Sequence, residues 1–271
     1  MSVVLPESVF LEEIFVPRKH IAEYETRVRA GYARMRDLRV VIAGLARDIA
    51  DTLPPTLKWL DHVRSLFRQA SVVILENDSH DVTRLALEGW AVRDPQHLRI
   101  FGDNCGQTRF GPTRDMSRMD WMALLRNRLR LACIEQDPHA DYVIFLDLDL
   151  GGQWSVHGLA NTLSYPDWDM MGSNGFKLWD RQQVYYDVWA LRFRDNDKPL
   201  WPHDITPWKY HRGDDPVLVN SCFGGMGVYR REALETVAYG GGDCEHVVFH
   251  RKLRENGFGR IYMNPSQVVV Y

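Results

Sequence analysis

Apolar residues fall along this chain in two rhythms that alternate. Between 17 and 38 they recur at three- and four-residue steps, at Ile21, Tyr24, Val28, Tyr32 and Met35, and Pro17 is placed to open a helix. Arg39–Ala43 then reads as a strand running into Gly44–Asp48. A helix over 54–69 follows, with Leu57, Leu60, Val63 and Leu66 or Phe67 on one face. Ser71–Leu75 predicts a second strand, 82–89 another helix, and Leu98–Phe101 a short third strand. Residues 102–120 read as a loop carrying Arg109, Arg114 and Arg118. The helix predicted from Met119 to Ile134 keeps its step through Met122, Leu125, Leu129 and Ala132 or Cys133, with Arg126 and Asn127 in its middle. Tyr142–Leu146 is an apolar run of aromatic and β-branched residues, the pattern of a buried central strand. Strands alternating with helices predict an α/β fold, a mostly parallel sheet covered on both faces.

Ligands in such sheets bind outside the carboxyl ends of the strands. Three polar clusters stand at those ends: Ala46, Arg47 and Asp48; Glu76, Asn77, Asp78 and Ser79; Asp147 and Asp149. The strand is expected to stop at Gly151-Gly152, so alternation points Asp147 and Asp149 the same way. Two like charges on one side of a strand end repel, and a hard divalent cation between them relieves the repulsion. The plainer alternative is a polar strand end in solvent. Likewise, the arginines of the 119–134 helix form either a solvated face or one turned to a ligand.

Composition changes this picture little. The chain has 271 residues, a net charge of -3, 45% hydrophobic and 25% charged residues, as in an ordinary soluble domain. The balance carries no signal for nucleic acid or an anionic membrane. Cys105, Cys133, Cys222 and Cys244 form no C-x-x-C pair, so reduced thiols and a cytoplasmic location are expected. Met1–Phe15 carries Glu7, Glu12 and Glu13 and lacks the layout of a signal peptide. No apolar run approaches ~18 residues, so no transmembrane segment is expected, while peripheral membrane association stays open.

The Val40–Ala43 strand leading to Gly44, the Glu76–Ser79 strand end with Asp81, Arg126-Asn127, and Phe145–Asp149 together resemble the GT-A glycosyltransferases. These are nucleotide-sugar-dependent enzymes with a Rossmann-like sheet and an Asp-x-Asp metal motif. The Glu76–Ser79, Cys222–Met226 and Cys244–His246 blocks are similar to fungal capsule-associated mannosyltransferases. The resemblance implies an N-terminal helical extension, 1–38, ahead of one domain, 39–271. Its nucleotide-binding half would be 39–150 and its acceptor and catalytic half 151–271. It implies a UDP- or GDP-sugar donor, Mn2+ or Mg2+, and a carbohydrate or glycoconjugate acceptor. Asp147 would face the ribose or the metal's water shell, and Asp149 would bind the metal. Ala46, Arg47, Glu76, Asn77 and Asp78 would frame base and ribose, and Arg126 and Asn127 would help hold the nucleotide. Sugar-1-phosphate nucleotidyltransferases share the fold, but Gly44–Asp48 lacks their Gly-rich, Arg/Lys-containing sequence. A binding protein without catalysis on the same fold is the other alternative.

Six of nine tryptophans lie between Trp154 and Trp208, with Tyr185, Tyr186, Phe193 and Tyr210 among them. Aromatic faces stack on the C–H faces of sugars, so this segment suggests a sugar-binding lip; the alternative is that it packs a small subdomain. Asp187 and Trp189 are its first candidates for substrate contact, then His203-Asp204 and Arg212–Asp215. Gly224 and Gly225 could bring backbone amides against the donor sugar, or form a tight turn. Asp243 can cap a helix that stops at Asn256-Gly257, leaving Glu245 in its first turn. The resemblance makes Glu245 the general base, with His246 where the family's second acid usually stands; the alternative is a first-turn glutamate stabilised by the helix dipole. His246 and His250 fall four apart on one helix face, a spacing that can bind a metal; the position of His246 equally suits substrate contact, and the alternative is that both histidines are structural. The C-terminal histidine that gives many family members a third metal ligand is absent. Either His246 or His250 replaces it, His250 being the candidate carried forward, or Asp149, phosphates and water suffice.

Overall fold

The computed structural model describes residue 12 and residues 15–111, 115–179 and 182–271. Arg114 and most of Met1–Phe15 lie outside these. The elements run α1 (Ile21–Met35), β1 (Arg39–Ala46), α2 (Leu53–Arg64), β2 (Gln69–Glu76), α3 (Thr83–Ala91), β3 (Leu98–Phe101), α4 (Met116–Gln136) and β4 (Tyr142–Asp147). Then come a 3-10 turn (Leu148–Leu150), α5 (Val156–Ser164), β5 (Met170–Trp179), β6 (Gln182–Tyr185), β7 (Arg192–Phe193) and a second 3-10 turn (Pro202–Ile205). The chain closes with β8 (Val217–Ser221), β9 (Met226–Arg230), α6 (Arg231–Thr236), α7 (Glu245–Glu255) and β10 (Ile261–Val270).

The sheet order is β3-β2-β1-β4-β9-β5-β10-β8-β7, with β6 on β5. β3, β2, β1 and β4 pair in parallel, and β5 pairs in parallel with β10. β9 runs against both β4 and β5 and joins the two groups, so the carboxyl ends of β1, β2, β4, β5 and β10 share one edge. The expected GT-A-type α/β sheet is therefore present. Alternation along the strands divides the core: Val40, Ile42, Ile144 and Leu146 face one layer with α1, α2 and α5. Val41, Ala43, Val143 and Phe145 face the other, with α4, α6 and α7.

Local chemistry sets the ends of several elements. Asp115 accepts from the Ser117 N–H at 2.8 Å, so α4 starts three residues before the apolar step suggests. His20 takes a left-handed conformation (φ 47°), and α1 starts at Ile21, not Pro17. β4 stops at Asp147, and Asp149 belongs to the turn that follows. The alternation argument for Asp147 and Asp149 thus fails: a 3-10 turn, not the pleat, relates them.

His250 on α7 is fully buried between two strands. Its Nδ1 meets the Ser221 hydroxyl on β8 and its Nε2 the Tyr229 hydroxyl on β9, both at 2.8 Å. Burial, with a smaller push from Arg254, lowers its pKa from 6.5 to about 3. The unfolded chain takes up this proton below pH 6.5 and the folded chain does not. Full stability therefore holds above 6.5 and is lost progressively as pH falls toward about 3, by roughly 1.4 kcal/mol per pH unit. His250→Gln should flatten the stability–pH profile between pH 6 and 4, read by urea unfolding; an unchanged slope would show that the folded protein already carries the proton.

Candidate active site

Carboxylates converge where β4 ends. The Asp147 side chain is 31% exposed, Asp149 is exposed on the turn, Asp187 is half-buried after β6, and Glu245 is buried in the first turn of α7. Two glycines bring them together. The Gly224 N–H donates to Asp187 Oδ2 at 2.9 Å, and the Gly225 carbonyl accepts from the Asp147 N–H at 3.1 Å. Both glycines are left-handed (φ 66° and 84°), and a Cβ on Gly224 would meet the Ser173 carbonyl oxygen at 2.2 Å. The Gly224 amide predicted to face the donor sugar is thus engaged by Asp187.

Arg126 sits among these acids. Arg126 Nε donates to Glu245 Oε1 at 2.8 Å, and its Nη2 lies 3.6 Å from Asp147 Oδ1. Its guanidinium lies 5.0 Å from the Phe223 ring centroid, and Phe223 stacks on His246 at 4.1 Å. Burial works against the Arg126 charge, but Glu245 and Asp147 outweigh it and hold its pKa above the usual value. Burial pushes the Asp147 carboxyl up to about 7; Arg126 pulls it down, while Asp149 and Asp187 add to the rise. Asp187 is raised by burial and then by Glu245, against the Gly224 hydrogen bond. Arg126 thus pairs with two carboxylates, Asp147 and Glu245, while Asp149 and Asp187 stand close enough to Asp147 to act on it, a surplus of negative charge that suits a divalent cation. Among the described residues, no three His, Cys, Asp or Glu side chains form a ready metal cage. A cation at Asp147 and Asp149 would therefore complete its shell with ligand oxygens and water, as Mg2+ and Mn2+ commonly do.

At the ends of β1 and β2 the predicted residues brace one another. Glu76 pairs with Arg84 at 2.8 Å and accepts from the Ser79 N–H, so its carboxylate is engaged inside the fold. Asn77 donates to Asp78, and Asp78 accepts from the Gly106 N–H at 2.7 Å. Burial raises the Asp78 pKa, but the Asn77 amide and the Gly106, Cys105 and Gln107 N–H groups outweigh it and leave it low. Arg47 donates to the Gln107 carbonyl at 2.8 Å, and the Ala46 carbonyl accepts from the Asn77 N–H. These strand ends hold the 102–111 loop.

Several candidates take other places. Asn127 clips the Tyr239 backbone, donating to its carbonyl and accepting from its N–H. This corrects its expected part in holding the nucleotide. His250 is corrected as a metal ligand, because both ring nitrogens are hydrogen-bonded in the interior. His246 is buried with both ring nitrogens unpartnered, and Nε2 lies 3.8 Å from Glu245. Asp243 stands before the helix cap, pairing with Arg192 at 3.1 Å and accepting from the Cys244 N–H. Of the tryptophans, Trp154, Trp168 and Trp208 are interior, Trp189 is half-buried and Trp201 exposed. Two site residues escaped the sequence reading. Tyr271 donates to Asp147 Oδ2 at 3.1 Å, and Phe223 underlies Arg126. Neither pairing leaves a local signal.

The fold resembles solved glycosyltransferases. A mannosyltransferase from Pyrobaculum calidifontis, PcManGT, in complex with GDP-Man and Mn2+, aligns with 92% of this chain and 66% of its own (TM-score 0.52, 16% identity). S. aureus TarS 1-349 with UDP-GlcNAc aligns over 86% of this chain and 59% of its own (TM-score 0.51, 13% identity). GalNAc-T7 with UDP, GalNAc and Mn2+ aligns over 86% and 44% (TM-score 0.52, 14% identity). The chain thus spans less than two thirds of the length of these structures. No curated protein matches it in sequence. Residues 39–258, from the first strand through α7, match the family described as Cryptococcal mannosyltransferase 1, and the chain belongs to that family of glycosyltransferases.

Proposed function

We propose that this protein transfers a sugar from a nucleoside-diphosphate donor to a carbohydrate hydroxyl, with a divalent cation at Asp147 and Asp149. The observation that carries the reading is the surplus of carboxylates around Arg126 at the edge where β1, β2 and β4 end. The family's description, a mannosyltransferase, favours mannose as the sugar. PcManGT is described with GDP-Man and Mn2+, which makes GDP-mannose the first donor to test.

Asp147 and Asp149 would hold the cation, which would supply positive charge to offset that developing on the leaving nucleoside diphosphate. The chain's own groups do the rest. Arg47, Asn77 and Asp78, with the loop they hold, frame the nucleoside. Asp187, fixed by the Gly224 amide, faces the sugar. Glu245 takes the proton of the acceptor hydroxyl as that oxygen attacks the anomeric carbon. Arg126 holds Glu245 Oε1, and Oε2, which accepts only from the weak Cys244 thiol donor at 3.7 Å, is the oxygen that receives the proton. In-line attack by the hydroxyl inverts the anomeric centre. Asp147 tethers Arg126, so the base and the metal site keep one geometry.

Two substitutions test the reading. Asp149 is exposed, so Asp149→Ala should shift unfolding stability by less than about 0.5 kcal/mol. It should also abolish transfer and the Mn2+-dependent stabilisation by nucleoside diphosphate, roughly 2.7 kcal/mol at a hundredfold excess over Kd. Turnover like the wild type's would remove the central assignment. Glu245→Gln should bind nucleotide and Mn2+ normally yet lose transfer by about 10²- to 10⁴-fold. Retained transfer would move the base role elsewhere, with Asp187 next in line.

A further inference from the structure

Arg118 stands in the first turn of α4, half-buried, with its guanidinium carbon 5.5 Å from the centroid of the Trp189 ring. Arg109, Arg126 and Arg192, around the same site, each hold a carboxylate. Among the described residues, Arg118 holds none. Its guanidinium nitrogens make no hydrogen bond with a described residue, and none of them is buried without a partner, so they reach solvent.

The place of this guanidinium is fixed by what lies beneath it. The Trp189 carbonyl accepts from Arg192 Nη1 at 2.9 Å, and Arg192 Nη2 donates to Asp243 Oδ1 at 3.1 Å. Asp243 comes just before Glu245 in the chain, and Asp187 just before Trp189. Gly241, on the turn before Asp243, lies against Asp120 of α4; a Cβ there would meet Asp120 Oδ1 at 1.6 Å. The start of α4, the turn leading to Glu245 and the segment after Asp187 therefore meet. Arg118 stands on the Glu245 side of the site, over a ring whose backbone is tied to the turn that carries the base.

We propose that Arg118 sets the chemical class of the acceptor by taking the carboxylate of a uronic acid unit. A guanidinium held over an indole is oriented, and its rigid N–H fork meets a carboxylate with two parallel hydrogen bonds. Asp147, Asp149, Asp187 and Glu245 would repel an acidic acceptor, and a cation at their margin offsets that repulsion. A neutral sugar seated there would cover the charge without pairing it, at a desolvation cost. The inference rests on the transfer reading above and deepens it by naming the acceptor's chemistry. An arginine that merely packed on Trp189 would add to stability and leave the choice of sugar unchanged.

The test uses the wild-type protein and the R118A and R118Q variants, with Mn2+ and GDP or UDP present. Methyl glucuronide and methyl galacturonide are each compared with the neutral methyl glycoside of the same ring, and the 6-phosphate of methyl mannoside with methyl mannoside. Saturation-transfer NMR reads the Kd values. At least one uronide should bind the wild type about tenfold or more tightly than its neutral counterpart. Both variants should lose that preference while keeping the wild type's nucleotide–Mn2+ affinity, which also shows them folded. Equal binding of uronide and neutral glycoside by the wild type, no uronide binding, or a preference kept in both variants would overturn the proposal. So would a stronger preference for the sugar phosphate than for either uronide. Weakened nucleotide–Mn2+ binding in the variants, with the uronide preference intact, would overturn it too and give Arg118 to the donor's diphosphate. If the wild type bound neither GDP nor UDP with Mn2+, the transfer reading would fail, while the uronide comparison would still decide the part of Arg118.

Discussion

Arg126 is the cation on which this site depends. It lies in the interior between Asp147 at the end of β4 and Glu245 at the start of α7. Removing one partner from a buried ion pair leaves an uncompensated charge, which costs about 3–5 kcal/mol. Helix α4, strand β4 and helix α7 are thereby fixed relative to one another by charge as well as by packing. Phe223 beneath the guanidinium adds a flat apolar wall, and an arginine suits that place better than a lysine because it is planar and delocalised. One guanidinium cannot balance the carboxylates around it, so the same interaction that organises the site leaves it acidic.

The sheet explains how residues far apart in sequence meet there. β9 runs antiparallel between β4 and β5 and carries the Gly224-Gly225 turn to the edge where the parallel strands finish. That turn holds Asp147 through its backbone and Asp187 through its side chain. The left-handed backbone at both glycines makes this possible, since a side chain at Gly224 has no space against Ser173. The half of the site from β1, β2 and β4 and the half from β6 and α7 are thus joined at two adjacent residues.

Much of the first half was legible in the sequence because its strands are unbroken apolar runs. β3 spans the predicted residues, and β1 and β2 extend the predicted runs to the polar residues at their ends. β10 was not legible. Asn264, Ser266 and Gln267 lie inside the fold, Asn264 and Gln267 bonded among Asn161, Thr162 and Ser173 and Ser266 to Asn264 and Gly213, and such a polar centre reads locally as a turn. Asp149 follows Asp147 on a turn rather than along the strand, since the strand has already ended, so the alternation that suggested their shared direction does not apply. Asn127 and His250 have functional-looking chemistry, yet their polar atoms are taken by Tyr239, Ser221 and Tyr229. Which buried polar group has a partner is a long-range fact, and local pattern does not carry it.

On the proposed reading, the loop over 102–111 bears on selectivity. Asp78 gathers N–H groups from Cys105, Gly106 and Gln107, and Arg47 holds the Gln107 carbonyl. A nucleobase seated beside it would meet a loop already tied at these points, so less of it would have to be ordered on binding. A base whose donors and acceptors did not match that loop's would leave desolvated groups unpaired.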